Sequence, residues 1–139
     1  MAYLLIVDDD GDFAGVAATV LRTCGHEVAI EPDVRSAVRS IERRRPDLAI
    51  LDVMFPEDDS AGFELARIIR RLNETPPRIP VLLLTALSAD FPLGFNKGDA
   101  DDARELADAM LEKPVGFDVL KRKVDELLQR RGEFQTHEA

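Results

Sequence analysis

Three short apolar runs constrain this chain more than any other feature. They are Tyr3-Leu4-Leu5-Ile6-Val7, Leu48-Ala49-Ile50-Leu51 (entered through Asp47) and Val81-Leu82-Leu83-Leu84. A strand with one wet face alternates apolar and polar residues, whereas a strand buried on both faces reads as a continuous apolar run. Each run stops at a polar residue: Asp8, Asp52 and Thr85. None approaches the roughly 18 apolar residues that cross a bilayer, so the runs are read as interior strands that need covering layers on both sides.

The segments between them have helical periodicity. Asp12 is placed to cap a helix through Cys24, with Phe13, Val16, Ala17, Val20 and Leu21 on its inner face and Gly25 ending it. His26 to Glu31 reads as a further strand. A second helix starts at Asp33 and runs to about Arg44 with Val34, Ala37, Val38 and Ile41 as its apolar stripe. A third covers Ala61 to about Asn73, and Pro76, Pro77 and Pro80 mark the return to the sheet. A short fourth helix is expected near Ala103–Ala107, then a strand over Ala109-Met110-Leu111-Glu112. A final helix is expected from Phe117 to about Arg130, with Glu133–Ala139 fraying.

Strand and helix alternating five times predict a doubly wound α/β fold, a five-stranded parallel sheet with five flanking helices. The expected domain spans 1–131, and 132–139 form a flexible tail. In such sheets ligands bind beyond the carboxyl ends of the strands, at the switch in strand order. Asp8-Asp9, Asp52, Thr85 and Lys113 occupy those ends.

Composition narrows the partners. A net charge of −9 disfavours direct contact with nucleic acid, which needs a basic surface. Cys24 is the single cysteine, so an intramolecular disulfide and a thiolate metal cluster are both excluded; it reads as a packed thiol at a helix end. His26 and His137 lack neighbours at metal-ligand spacing, and Glu57, Asp58 and Asp59 read as a solvated loop. The N-terminus lacks the basic region of a signal peptide, so a cytoplasmic location with no membrane contact is expected.

Carboxylates gathered at one point repel one another, and a hard divalent cation such as Mg²⁺ relieves that repulsion. One carboxylate then remains to act as a nucleophile, while a lysine and a hydroxyl meet the oxygens of a transferred phosphoryl group. The residues carrying this set resemble the receiver domains of two-component response regulators. Leu5-Ile6-Val7-Asp8-Asp9-Asp10 is similar to that family's acidic strand end, and Leu51-Asp52-Val53-Met54-Phe55-Pro56 to its phosphoacceptor strand. Leu84-Thr85-Ala86 and Glu112-Lys113-Pro114 are similar to its switch-hydroxyl and lysine-proline turns.

The resemblance implies a flavodoxin-like, CheY-like sheet in the order 2-1-3-4-5. It implies Asp52 as phosphoacceptor, with Mg²⁺ held by Asp9, Asp52, the Met54 carbonyl and, through water, Asp8. Thr85 and Lys113 would contact the phosphoryl group, and the bond to Pro114 would be cis. A histidine kinase or His-phosphotransfer protein would be the donor and a further protein the target. The chain would act as a single-domain regulator, monomeric or weakly dimeric, catalysing only its own phosphorylation and dephosphorylation.

Two departures accompany the resemblance. Met110 stands where the family commonly has an aromatic residue, and the stretch from Thr85 to Lys113 is long, carrying Phe91 and Phe95 as candidate coupling residues. Two rival readings differ in class. Asp8-Asp9-Asp10-Gly11 with Gly98–Asp102 resembles haloacid-dehalogenase-type phosphatases, although Asp12 stands where that family prefers threonine. The other rival is a receiver-fold interaction module that no longer uses phosphorylation.

Overall fold

In a computed structural model, residues 2–52, 61–85, 107–112 and 115–138 are described, the side chains of 61–63, 85 and 131–138 excepted. Five parallel strands form one sheet in the order β2-β1-β3-β4-β5. They are β1 (Tyr3–Val7), β2 (Glu27–Glu31), β3 (Leu48–Asp52), β4 (Val81–Thr85) and β5 (Ala109–Glu112). Four helices are present among the described residues: α1 (Gly11–Thr23), α2 (Val34–Arg43), α3 (Ala61–Leu72) and α4 (Phe117–Glu138). The short helix expected at 103–107 falls almost wholly outside them.

The unbroken apolar runs lie in the interior, as their lack of alternation requires. Leu5, Val7, Ala49, Leu51 and Leu83 point to one face and pack with Ala37 and Ile41 of α2 and Leu65, Ala66 and Ile69 of α3. Leu4, Ile6, Ile50, Leu82 and Leu84 point to the other face, against Ala14, Ala17, Ala18 and Leu21 of α1 and Leu120, Val124 and Leu127 of α4. Burial of a leucine or isoleucine contributes about 1.5–3 kcal/mol, so this double core dominates stability. Phe13 and Phe117 stack at 5.7 Å between centroids, tying α1 to α4.

Two helix boundaries differ from expectation. The cap of α1 is Asp10, whose side chain accepts from the Phe13 amide at 3.2 Å; Asp12 lies inside the first turn, where its charge suits the helix dipole. Asp10 wins because its own amide donates to Asp8 Oδ1 at 2.9 Å, which holds it in the extended backbone a cap requires. The final helix runs to Glu138, past the end expected near Arg130. Asp33 caps α2 as expected, and Gly25 follows α1 at φ 93°, in the left-handed region that glycine enters without a Cβ penalty.

The amino ends of the strands share a repeated device. Asp47, just before β3, donates its amide to the Tyr3 carbonyl at 2.7 Å and accepts the Tyr3 amide on Oδ2 at 2.7 Å. Asp108, just before β5, donates to the Val81 carbonyl at 2.9 Å and accepts the Val81 amide on Oδ2 at 2.8 Å. Each aspartate thus clasps the first residue of a neighbouring strand with two bonds, setting the register β1–β3 and β4–β5 from the bottom of the sheet. The amides that open these strands would otherwise lack a ladder partner.

Candidate functional site

The site grows from that register. Val7 pairs with Leu51, Asp52 with Leu84, and Thr85 with Glu112, so the carboxyl ends of β1, β3, β4 and β5 finish at nearly one level. Asp8 follows Val7, Asp52 ends β3, Thr85 ends β4, and Lys113 follows Glu112. Strand order reverses between β1 and β3, the point where open parallel sheets leave a crevice.

Asp8, Asp9 and Asp52 converge there. Each offers a carboxylate oxygen, and the three oxygens lie within 4.8 Å of one another. Asp8 and Asp52 are 2% and 4% exposed, while Asp9 is open to solvent. Asp8 is anchored by its amide bond to the Glu31 carbonyl at 3.1 Å, and through Oδ1 it holds the turn that starts α1. Hence the acidic pair is built into the strand–helix junction rather than lying on a loose loop. Carboxylates this close repel one another, two of them being buried, and an all-oxygen donor set with one open side fits a hard divalent cation.

Of the residues expected at the site, the structure brings these three together. Thr85 is seen as the last residue of β4 with its side chain outside the description, and Met54, Phe91, Phe95, Lys113 and Pro114 lie outside the described residues. Met110 is placed on β5 opposite Leu83, half-buried against the cluster under α2 and α3. The dual role of Asp10, between Asp8 and the helix cap, was missed in the sequence; its signal was the three-residue spacing to Phe13. That role also separates the site from a phosphatase-type Asp-x-Asp pair, because the Asp10 carboxylate caps α1.

A central acidic strand end beside a second one, on a 2-1-3-4-5 sheet, defines an open parallel α/β domain with its site at the carboxyl ends of the strands. Residues 4–125 match the response regulator receiver domain family, and the chain belongs to it. It is 34% identical over 138 residues to the transcriptional regulatory protein AfsQ1 of Streptomyces coelicolor, covering 98% of this chain and 55% of that protein. Identity to the transcriptional regulatory protein PrrA of Mycobacterium tuberculosis is also 34%, over 135 residues, covering 96% and 52%. The chain therefore spans about half the length of these relatives.

Among solved structures, a CheY-like response regulator receiver domain protein from Methanospirillum hungatei superposes with a TM-score of 0.78 at 25% identity, covering 96% of this chain and 98% of that one. The receiver domain of a signal transduction histidine kinase from Syntrophus aciditrophicus gives 0.74 at 32% identity, covering 93% and 91%. No described helix is long and apolar enough to cross a membrane.

Proposed function

We propose that this receiver domain accepts a phosphoryl group on Asp52 from the phosphohistidine of a histidine kinase or His-phosphotransfer protein. The observation that carries this reading is the convergence of Asp8, Asp9 and Asp52, with Asp52 buried at the end of the central strand. An Asp52 carboxylate oxygen attacks phosphorus, the P–N bond to the donor imidazole breaks, and the nitrogen keeps the electron pair. The product is an acyl phosphate on Asp52.

Asp9, Asp52 and the Met54 carbonyl, with Asp8 through water, are the residues that would hold Mg²⁺. A bound Mg²⁺ supplies charge neutralisation for phosphoryl oxygens next to carboxylates. Asp8 and Asp9 would carry most of the cation's binding, leaving an Asp52 oxygen to attack the phosphoryl group. Thr85 and Lys113 would donate to the phosphoryl oxygens, favouring one conformer of the domain and so changing its affinity for a protein target. Beyond its own phosphorylation and dephosphorylation the domain would catalyse no reaction.

Incubation with Mg²⁺ and acetyl phosphate tests the reading by intact mass. One phosphoryl adduct is expected on the wild type and none on Asp52→Asn. No adduct with acetyl phosphate or with a phosphorylated histidine kinase would move the assignment to a phosphorylation-independent interaction module. Continuing turnover of a phosphate ester would instead indicate a phosphatase.

A further inference from the structure

The amino end of the sheet carries a third clasp, which differs from the other two in the atom that accepts. The Glu27 amide donates to the Ala2 carbonyl at 2.9 Å, and the Ala2 amide donates to Nδ1 of His26 at 3.2 Å. Ala2 leads into β1 and His26 into β2, so the two bonds hold these strands where Tyr3 meets Glu27 in register. Asp47 and Asp108 do the same for β1–β3 and β4–β5, with a carboxylate oxygen as acceptor. A carboxylate remains an acceptor down to about pH 4, whereas an imidazole ordinarily gains its proton within about pH 5 to 8. Of the three clasps among the described residues, this one rests on an acceptor that a single proton abolishes.

An amide N–H can only donate, so its bond to Nδ1 fixes the tautomer: Nδ1 is bare and the ring proton sits on Nε2. Nε2 lies 3.8 Å from Oδ1 of Asp125 on α4, and the side chains of His26 and Asp125 are 10% and 53% exposed. The His26 amide is bonded to the Leu21 carbonyl at 3.3 Å, which ties the base of the side chain to the end of α1. Neighbouring groups are engaged elsewhere. Arg22 of α1 donates to the Val28 carbonyl at 2.8 Å, and the Cys24 thiol donates to the Val20 carbonyl. Glu27 of β2 pairs with Arg44, and Asp47 accepts the Tyr3 amide. On α4, Glu126 pairs with Lys123 and Arg130, while Lys121 and Arg122, about one turn before Asp125, are exposed. Asp125 is therefore the anion placed to receive a charged ring.

We propose that His26 is a proton-operated latch between β1 and α4. When neutral, the ring accepts the Ala2 amide and closes the clasp. A proton taken from solvent onto Nδ1 sets one N–H against another, so the Ala2 bond breaks and the imidazolium is drawn to Asp125. The entry to β1 is then loosened, while the carboxylate clasps at β1–β3 and β4–β5 stay closed. A ring that served only to fill space would give no such dependence on pH.

The test is an NMR titration of the ¹⁵N-labelled full chain from about pH 8 to about pH 5. The His26 ring nitrogens report the proton. Protection of the Glu27 amide against hydrogen exchange, taken relative to the unstructured rate at each pH, reports the clasp. Glu27 protection should fall about tenfold in step with the ring, while that of the Asp108 amide holds. His26→Asn keeps an acceptor that does not titrate, so protection should stay high throughout. His26→Phe keeps a ring without an acceptor, so protection should stay low throughout; if it misfolds, His26→Asn against wild type decides alone. Asp125→Asn should move the wild-type transition to lower pH, because it removes the anion that favours the charged ring.

Equal pH dependence in wild type and His26→Asn would overturn the proposal. So would a ring that titrates with no change at Glu27, or one that stays neutral down to about pH 5. A transition unmoved by Asp125→Asn would leave the ring without its second position, and the latch to α4 would fall. None of these variants alters Asp8, Asp9 or Asp52, so the result stands apart from the assignment of Asp52.

Discussion

The two ends of the sheet treat charge in opposite ways. At the carboxyl end, three carboxylates share a space of 4.8 Å, two of them buried. At the amino end, charges are satisfied in pairs. Asp47 and Asp108 take the opening amides of β1 and β4; Arg44 meets Glu27 at 2.7 Å and lies 4.0 Å over the Tyr3 ring; Arg78 pairs with Asp108. One end is arranged for register and stability. The other gathers three carboxylates on rigid strand termini, the arrangement on which the proposed function rests.

The contrast can be broken most severely at Asp52. Asp52→Asn should abolish the phosphoryl adduct by intact mass, yet without divalent cation it should make the fold about 0.5–2 kcal/mol more stable to urea. A variant that lost both adduct and stability would show that Asp52 is a structural residue. Next in size is the response to cation. Mg²⁺ at a hundred times its Kd should stabilise the wild type by about 2.7 kcal/mol, measured as a rise in Tm, and Asp9→Ala should remove most of that rise. An unchanged response in Asp9→Ala would place the cation elsewhere.

The amino end predicts the reverse pattern. Asp47→Ala or Asp108→Ala leaves a strand-opening amide without its acceptor and should cost about 1–3 kcal/mol in urea denaturation. Phosphorylation of Asp52 should continue in both. Equal losses of stability and adduct would mean that the two ends are not separable.

The smallest effect is at the cap of α2. The Ser36 backbone amide, and then the Ser36 side chain, hold Asp33 below its ordinary pKa of 3.8. A lowered carboxylate stabilises the folded state above its unfolded pKa and loses that contribution as pH falls through the folded value. Asp33→Ala should therefore lower Tm at neutral pH, with the difference from wild type fading below pH 3.8. A gap that persisted to lower pH would assign the effect to helix propensity rather than to the charged cap.

Much of the fold was legible because its signals are local. Continuous apolar runs identify strands buried on both faces, the 3.6-residue period identifies α1, α2, α3 and α4, and Asp33 and Gly25 mark helix ends. The convergence of Asp8, Asp9 and Asp52 was legible for a related reason: in a parallel sheet every strand end faces the same way, so polar residues closing neighbouring strands come together. The position of the α1 cap was not legible, because Asp10 and Asp12 have equal local chemistry and only the bond from the Asp10 amide to Asp8 separates them.

The sequence by itself determined that this chain is a layered α/β domain with an acidic strand-end site, since periodicity and chain direction carry that information residue by residue. Tertiary structure alone decided the clasps that join Asp47 to Tyr3 and Asp108 to Val81, contacts across 44 and 27 residues. It also decided that α2 and α3 share a groove floored by Val38, Ile41, Ile68 and Leu72, with Arg45 at one end. Those outcomes depend on register and on which helices share a face of the sheet, and no local pattern encodes either.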